Sequence, residues 1–158
     1  KPGKRLRLYE LTQVEHVIQK PGRLRVCGSE DLDLVYEWIC RFSEDADLSD
    51  EKPPRDRVAY RVAAGDQFLW EVGGEPRCLV GKSNQLLYGV SRVNSVYTPR
   101  EQRCQGYATD ATTAITQRLL DEGAEFSSLF TDLANPTSNS IYQKIGYRPV
   151  ADFEQLWF

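Results

Sequence analysis

Methionine is missing from these 158 residues, histidine occurs once, at position 16, and no apolar run is long enough to span a bilayer. Ordinary usage would supply about three methionines. With Lys at position 1, the stretch is therefore expected to be a processed or engineered segment, or one that lacks some residues. No signal-peptide pattern is present, so a cytoplasmic setting and no membrane partner are expected. Cys27, Cys40, Cys78 and Cys104 show neither CxxC nor Cys/His ligand spacing. That scatter favours reduced thiols over a disulfide frame, and no metal site is expected. The balance of 20 basic and 23 acidic residues, net −3, argues against nucleic acid as the main partner. No Gly-Lys-Ser/Thr follows the one Gly loop of interest, which excludes a Walker-type phosphate loop.

What is present fits one domain over 1–158, large enough to bury about two-thirds of its unfolded surface. Residues 4–11 and 22–28 alternate basic and apolar side chains, the period of half-buried strands. Ser29 stands as an N-cap before a helix near 30–43, on the spacing of Leu34, Val35, Trp38, Ile39 and Phe42. An acidic loop over 43–54 ends in two prolines, and a second helix over 55–65 closes at Gly65. Runs 67–72, 77–83 and 86–98 read as an antiparallel meander of strands. A helix near 106–121 and a short interior strand at 126–134 follow. Asn135 then caps a helix that Pro136 opens and Gly146 ends, and the chain returns as a strand. The fold class is α/β: a mixed, mainly antiparallel sheet flanked by helices.

The junction "RCQGYA", residues 103–108, lies between a strand and a helix. A plain turn would explain it. It also suits an anion cradle, because glycine permits close backbone approach and the first N–H groups of a helix lack internal partners. Arg103 adds a fixed charge there, and the donors run over Arg103, Cys104, Gln105, Gly106, Tyr107 and Ala108.

Strand, R-x-x-G-x-A, helix, strand and "NPTSNSIYQKIGY" (135–147) together resemble the acyl-CoA core of the GNAT N-acetyltransferases. The likeness is strong over 86–150 and looks most like the C-terminal domain of a bacterial branch. It implies acetyl-CoA as cosubstrate, its pyrophosphate on loop 103–108, and its pantetheine arm beside the backbone of Val96, Tyr97 and Thr98. Cys104 stands where relatives often carry Gly. The motif implies that Tyr142 protonates the departing thiolate, which suits a phenol that keeps its proton at neutral pH. Cofactor contacts are implied for Asn135, with helix capping as the competing role, and for Asn139. The resemblance also leaves room for a homodimer or a preceding partner domain.

An acceptor amine must lose a proton before it attacks a thioester. Ser91 to Thr98 contains no Asp or Glu, so Glu71 and Asp132 stand as candidate bases, each with a structural role as its alternative. His16 reads as solvated. The expected activity is acetyl transfer from acetyl-CoA to a primary amine of a small molecule or peptide, by direct attack in a ternary complex. A catalytically silent acyl-CoA-binding module is the alternative, and simple nucleotide or phosphate binding a third reading. The acidic run 43–51 suggests a cationic acceptor, or only a solvated loop.

Overall fold

The structure is a computed structural model, and it describes residues 2–46, 52–83 and 88–156. Among them, one seven-stranded sheet carries helices on both faces. In chain order the elements are β1 (Pro2–Leu11), β2 (Arg23–Val26), α1 (Leu32–Asp45), α2 (Arg55–Ala63), β3 (Gln67–Val72) and β4 (Glu75–Lys82). There follow β5 (Val90–Tyr97), α3 (Tyr107–Asp121), β6 (Phe126–Asp132), α4 (Pro136–Ile145) and β7 (Arg148–Leu156).

The sheet runs β2-β3-β4-β5-β6-β1-β7. Its neighbours are antiparallel except β5 and β6, which run parallel with α3 as their crossover. The first strand therefore lies between the last two, with Leu8 opposite both Phe130 and Ala151. Strand alternation then separates two cores. Tyr9, Phe68, Val80, Val93 and Leu129 face α3 and α4, joining Ala111, Ile115, Tyr142 and Ile145. Leu69, Leu79 and Tyr97 point the other way, against Val35 and Trp38 of α1 and Val58 and Val62 of α2. Burying each such aliphatic side chain contributes about 1.5–3 kcal/mol, so the helices are fixed by these stripes rather than by propensity.

Several local expectations shift. The first helix starts later than Ser29, because Ser29–Asp31 forms a 3-10 turn. Asp31 accepts the Gly28 N–H at 2.8 Å and a forked pair from Arg25 at 2.8 and 2.9 Å, which tightens that turn. The helix runs on to Asp45, into the stretch expected as loop. Residues 47–51 of the acidic run, and 84–87 before β5, lie outside the described residues.

Candidate active site

The two parallel strands pair only at their starts, Val90 with Phe126, Ser91 with Ser127 and Arg92 with Ser128. Beyond that the register records no further pairing, so the backbone of Val93–Tyr97 has a free edge toward β6. A bulge sharpens the divergence. Leu79 and Gly81 of β4 face Tyr97 and Asn94 of β5, which leaves one extra residue in β5, and Ser95 adopts a positive φ of 53°. The result is a cleft opening toward the C-terminal ends of β5 and β6. Val96 packs against the core on the α3–α4 side, and the Thr98 hydroxyl, just past the strand, is buried without a hydrogen-bond partner among the described residues.

At the mouth of that cleft stands the loop 103–106. Cys104 and Gly106 both have positive φ, 65° and 83°, and α3 starts at Tyr107. Left-handed residues alternating in this way turn successive N–H groups toward one concave side. The first helical bond is the Asp110 N–H to Gly106 O at 3.0 Å and the Arg103 N–H bonds Arg100 O at 3.3 Å, so the amides between them are free for a ligand. Nothing lies within 4 Å of a Cβ built on Gly106. Arg103 does not point freely into solvent: its Nε donates to Thr98 O at 2.8 Å and its Nη2 to Asp45 Oδ2 at 2.9 Å, over the Tyr97 ring.

A cavity of about 590 Å3 borders the other side of the loop, where Lys20, Lys144, His16 and Gly106 meet. The segment between β1 and β2 builds it. Glu15 N–H bonds Ile145 O at 2.7 Å, and the backbone O of Gln13 lies 2.8 Å from where a Cβ on Gly146 would stand. Lys20 Nζ donates to Gln105 O at 3.1 Å. His16, expected as solvated, is instead half-buried, its Nε2 3.1 Å from Oδ1 of the buried Asp110, because the same segment presses it onto α3.

Tyr142, on α4, is buried, with its ring 6.2 Å from Tyr147 in an edge-to-face arrangement. No hydrogen bond among the described residues occupies its hydroxyl. Burial pushes its pKa well above the ordinary phenol value, and nearby Cys78 and Tyr147 add to the shift. The Cys78 thiol is itself pushed up to about 12 by burial. Both groups therefore remain neutral over the working range of most enzymes.

The remaining candidates separate. Asn135 caps α4, its Oδ1 accepting the Ser138 N–H at 3.1 Å. Asn139 accepts from Tyr9 Oη at 2.7 Å and Thr131 Oγ1 at 2.8 Å, and donates to Asp132 O and Asn135 O at 3.2 and 2.7 Å. These four bonds use its whole amide, so Asn139 braces α4 against β1 and β6 rather than facing the cleft with a free polar group. Glu71 is committed to Arg23 and Arg25 at 3.1 and 3.2 Å, and β4 separates it from β5. Asp132 stands at the cleft end of β6, accepting the Ala134 N–H at 2.9 Å with Lys4 at 3.7 Å. Among the described residues no group of three or more metal-ligating side chains occurs, and no helix is long and apolar enough to cross a membrane.

A family model for FR47-like protein matches residues 78–158, which run from within β4 through the cleft, the loop and Tyr142. The chain belongs to the FR47-like family, within the GNAT superfamily. Among functionally curated proteins, none matches this sequence. Solved structures share the fold at low identity. A GCN5-related N-acetyltransferase from Sphaerobacter thermophilus superposes with a TM-score of 0.76 at 14% identity, covering 98% of this chain and 51% of that one. A GNAT-family acetyltransferase from Colwellia psychrerythraea gives 0.72 at 14%, with 98% and 55% covered. A predicted acetyltransferase from Clostridium acetobutylicum, solved with acetyl-CoA, gives 0.63 at 13%, with 81% and 90% covered. The chain thus spans little more than half the length of the first two.

Proposed function

We propose that this FR47-like chain binds acetyl-CoA in the β5–β6 cleft and transfers its acetyl group to a primary amine. The observation that carries the reading is the coincidence of an unpaired β5 edge, a loop of left-handed residues opening α3, and a buried, unbonded tyrosine. The residues fit the cofactor. The free edge of Val96 and Tyr97, with the orphaned Thr98 hydroxyl, offers donors and acceptors to the amide-bearing arm. The amides of Cys104 to Ala108 and the positive end of α3 suit the pyrophosphate. Lys20 and Lys144 supply further positive charge beside Gly106. Asn135 holds α4 in place, and α4 carries Tyr142.

Acetyl-CoA supplies an activated acyl thioester. In the transfer, a C–N bond forms as the C–S bond breaks, the amine loses one proton and the departing sulfur gains one. Tyr142, whose burial keeps it protonated, is the donor this reading assigns to the departing sulfur. Asp132 and solvent remain to take the amine's proton. Glu71, bound to two arginines, serves the β2–β3 edge instead. A cytoplasmic setting suits both the cosubstrate and the free thiols Cys27, Cys40, Cys78 and Cys104.

Calorimetry with acetyl-CoA, followed by thiol release over a panel of amines, tests the reading. Saturable binding with amine-dependent release of one thiol per acetyl transferred is expected. Binding without release by any amine would leave a silent acyl-CoA module, and no binding would remove the cofactor assignment.

A further inference from the structure

Next to the cleft, on the face that α1 and α2 cover only in part, β5 presents Arg92 and Asn94, and Arg61 of α2 reaches the asparagine. Arg61, from α2, reaches across β4 to place Nη2 2.8 Å from Asn94 Oδ1 and 3.3 Å from Lys82 O. Gly81 makes the passage: a Cβ there would lie 2.6 Å from Asn94 Oδ1 and 3.1 Å from Arg61 Nη2. Gln67, turned so that its oxygen faces the arginine, accepts from Arg61 at 2.9 and 3.1 Å. Arg92 stands two residues before Asn94 on β5, hence on the same face, with its guanidinium carbon 4.8 Å from the centre of the Phe130 ring.

Neither arginine has a carboxylate partner within ion-pair distance among the described residues. The other charges nearby do not fill that role. Asp132 faces Lys4, and Glu10, on the same face, stands two strands from Arg92 across Ser128. Asp66 acts on Arg61 only at longer range, and burial lowers the Arg61 pKa from its usual value. A partly buried guanidinium served only by neutral oxygens keeps its charge uncompensated, and the Arg61 Nε–H has no partner among the described residues, so an anion is the complement it lacks. Beside it the sheet is apolar and open. Phe130 and Phe153 pack edge to face at 5.9 Å and are 41% and 48% exposed, and no residue of β6, β1 or β7 joins the α1–α2 core.

We propose that this face receives the acceptor, and that the acceptor is a primary amine carrying its own carboxylate and an apolar side group. This rests on the acetyl-transfer reading and gives it a substrate class. The carboxylate lies between Arg61 and Arg92, the apolar group packs on Phe130 and Phe153, and the amine is left at the point where β5 and β6 part. It reverses the charge expected from the acidic run. The one carboxylate of that run with an ion pair among the described residues, Asp45, is engaged by Arg100 and Arg103.

The test uses product mimics, so that it reads binding as well as turnover. N-acetyl-L-phenylalanine and its C-terminal amide are titrated into the protein with and without CoA, at low and high salt. The carboxylate is expected to bind about tenfold tighter than the amide, equivalent to about 1.4 kcal/mol, with the advantage shrinking as salt rises. Arg92→Gln, at an exposed position that should not affect folding, is expected to remove most of that advantage, and Arg92→Lys to restore part of it. Equal binding of the two probes, binding of neither, or an advantage untouched by Arg92→Gln overturns the proposal. Absence of CoA binding in the same titrations is the separate failure of the acetyl-transfer reading, and the titrations without CoA still decide the carboxylate preference.

Discussion

Arg103 Nη2 lies 2.9 Å from Asp45 Oδ2, which ties the end of α1 to the loop that opens α3. The arginine that would meet a phosphate is thus already paired with a carboxylate, and Arg100 approaches the same group at 3.9 Å. Both side chains are partly exposed, so the pair contributes little to stability and is screened by salt. Asp45→Asn should leave the fold intact and free Arg103 for the pyrophosphate. Acetyl-CoA should then bind about threefold or more tightly at low ionic strength, or about 0.7 kcal/mol, with the gain fading at high salt. Weaker binding in calorimetry would mean that Asp45 orders the loop rather than competing for it.

Gly106 combines a φ of 83° with empty space around its Cβ position. A side chain there meets no clash in the protein, so the left-handed backbone costs the fold some strain while the steric block falls on whatever ligand approaches the backbone. Gly106→Val should weaken acetyl-CoA binding at least tenfold, about 1.4 kcal/mol. The matched control is Gly123→Val, at φ 115° beyond the far end of α3, which should lower the melting temperature without moving the acetyl-CoA Kd. Equal affinity in the Gly106 variant would detach the loop from the phosphates.

The elements that the sequence reveals are those fixed by neighbours in the chain. Asn135, Pro136 and Gly146 announce α4 because cap, first turn and stop are local signals, and the stripe Ala111, Ile115, Leu119 announces α3 for the same reason. What stays hidden is set by pairing across long separations. Nothing in residues 2–11 says that they will slot between β6 and β7, since alternation gives a strand's faces but not its neighbours. The bulge at Ser95 carries no glycine or proline to mark it. Asn139 reads as a motif position, yet its role follows from Tyr9, 130 residues away in sequence. The pairings of Glu71 with Arg25 and of His16 with Asp110 are hidden alike, because they form only through the fold. The Arg61–Asn94 contact depends on Gly81 leaving a gap, a spatial fact with no periodic trace.

The Tyr142 side chain is largely buried while its hydroxyl makes no hydrogen bond among the described residues, which leaves that group free to meet a partner during the reaction. Tyr142→Phe keeps the ring against Tyr147 and removes only the proton donor. Turnover should fall about a hundredfold or more, while acetyl-CoA affinity stays within about threefold, the pattern of an interaction made in the transition state. Single-turnover rates separate chemistry from product release. Wild-type rates in the variant would reduce Tyr142 to packing.

Alkaline pH should unfold this protein through its buried neutral groups. Burial pushes Cys27 and Cys78 from 9 to about 12 and Tyr147 from 10 to about 12, although Ser127 and Thr116 pull Tyr147 back through hydrogen bonds at 2.7 Å. Tyr142 shifts in the same direction. For each group the folded pKa is the higher one, so below pH 9 both states hold the proton and no stability is lost. Above it the unfolded chain releases protons that the native state keeps, and stability falls by about 1.4 kcal/mol per pH unit for each such group until the native groups also ionise near pH 12. The melting temperature should therefore be flat to about pH 9 and fall with growing slope beyond pH 10, where the phenols join the thiols. Tyr147→Phe orphans the Thr116 and Ser127 hydroxyls and costs about 1–3 kcal/mol at neutral pH. Yet it removes one titrating group, so the variant should start lower and fall less steeply above pH 10. Parallel curves for variant and wild type would show that Tyr147 ionises equally in both states, contrary to its burial in the core.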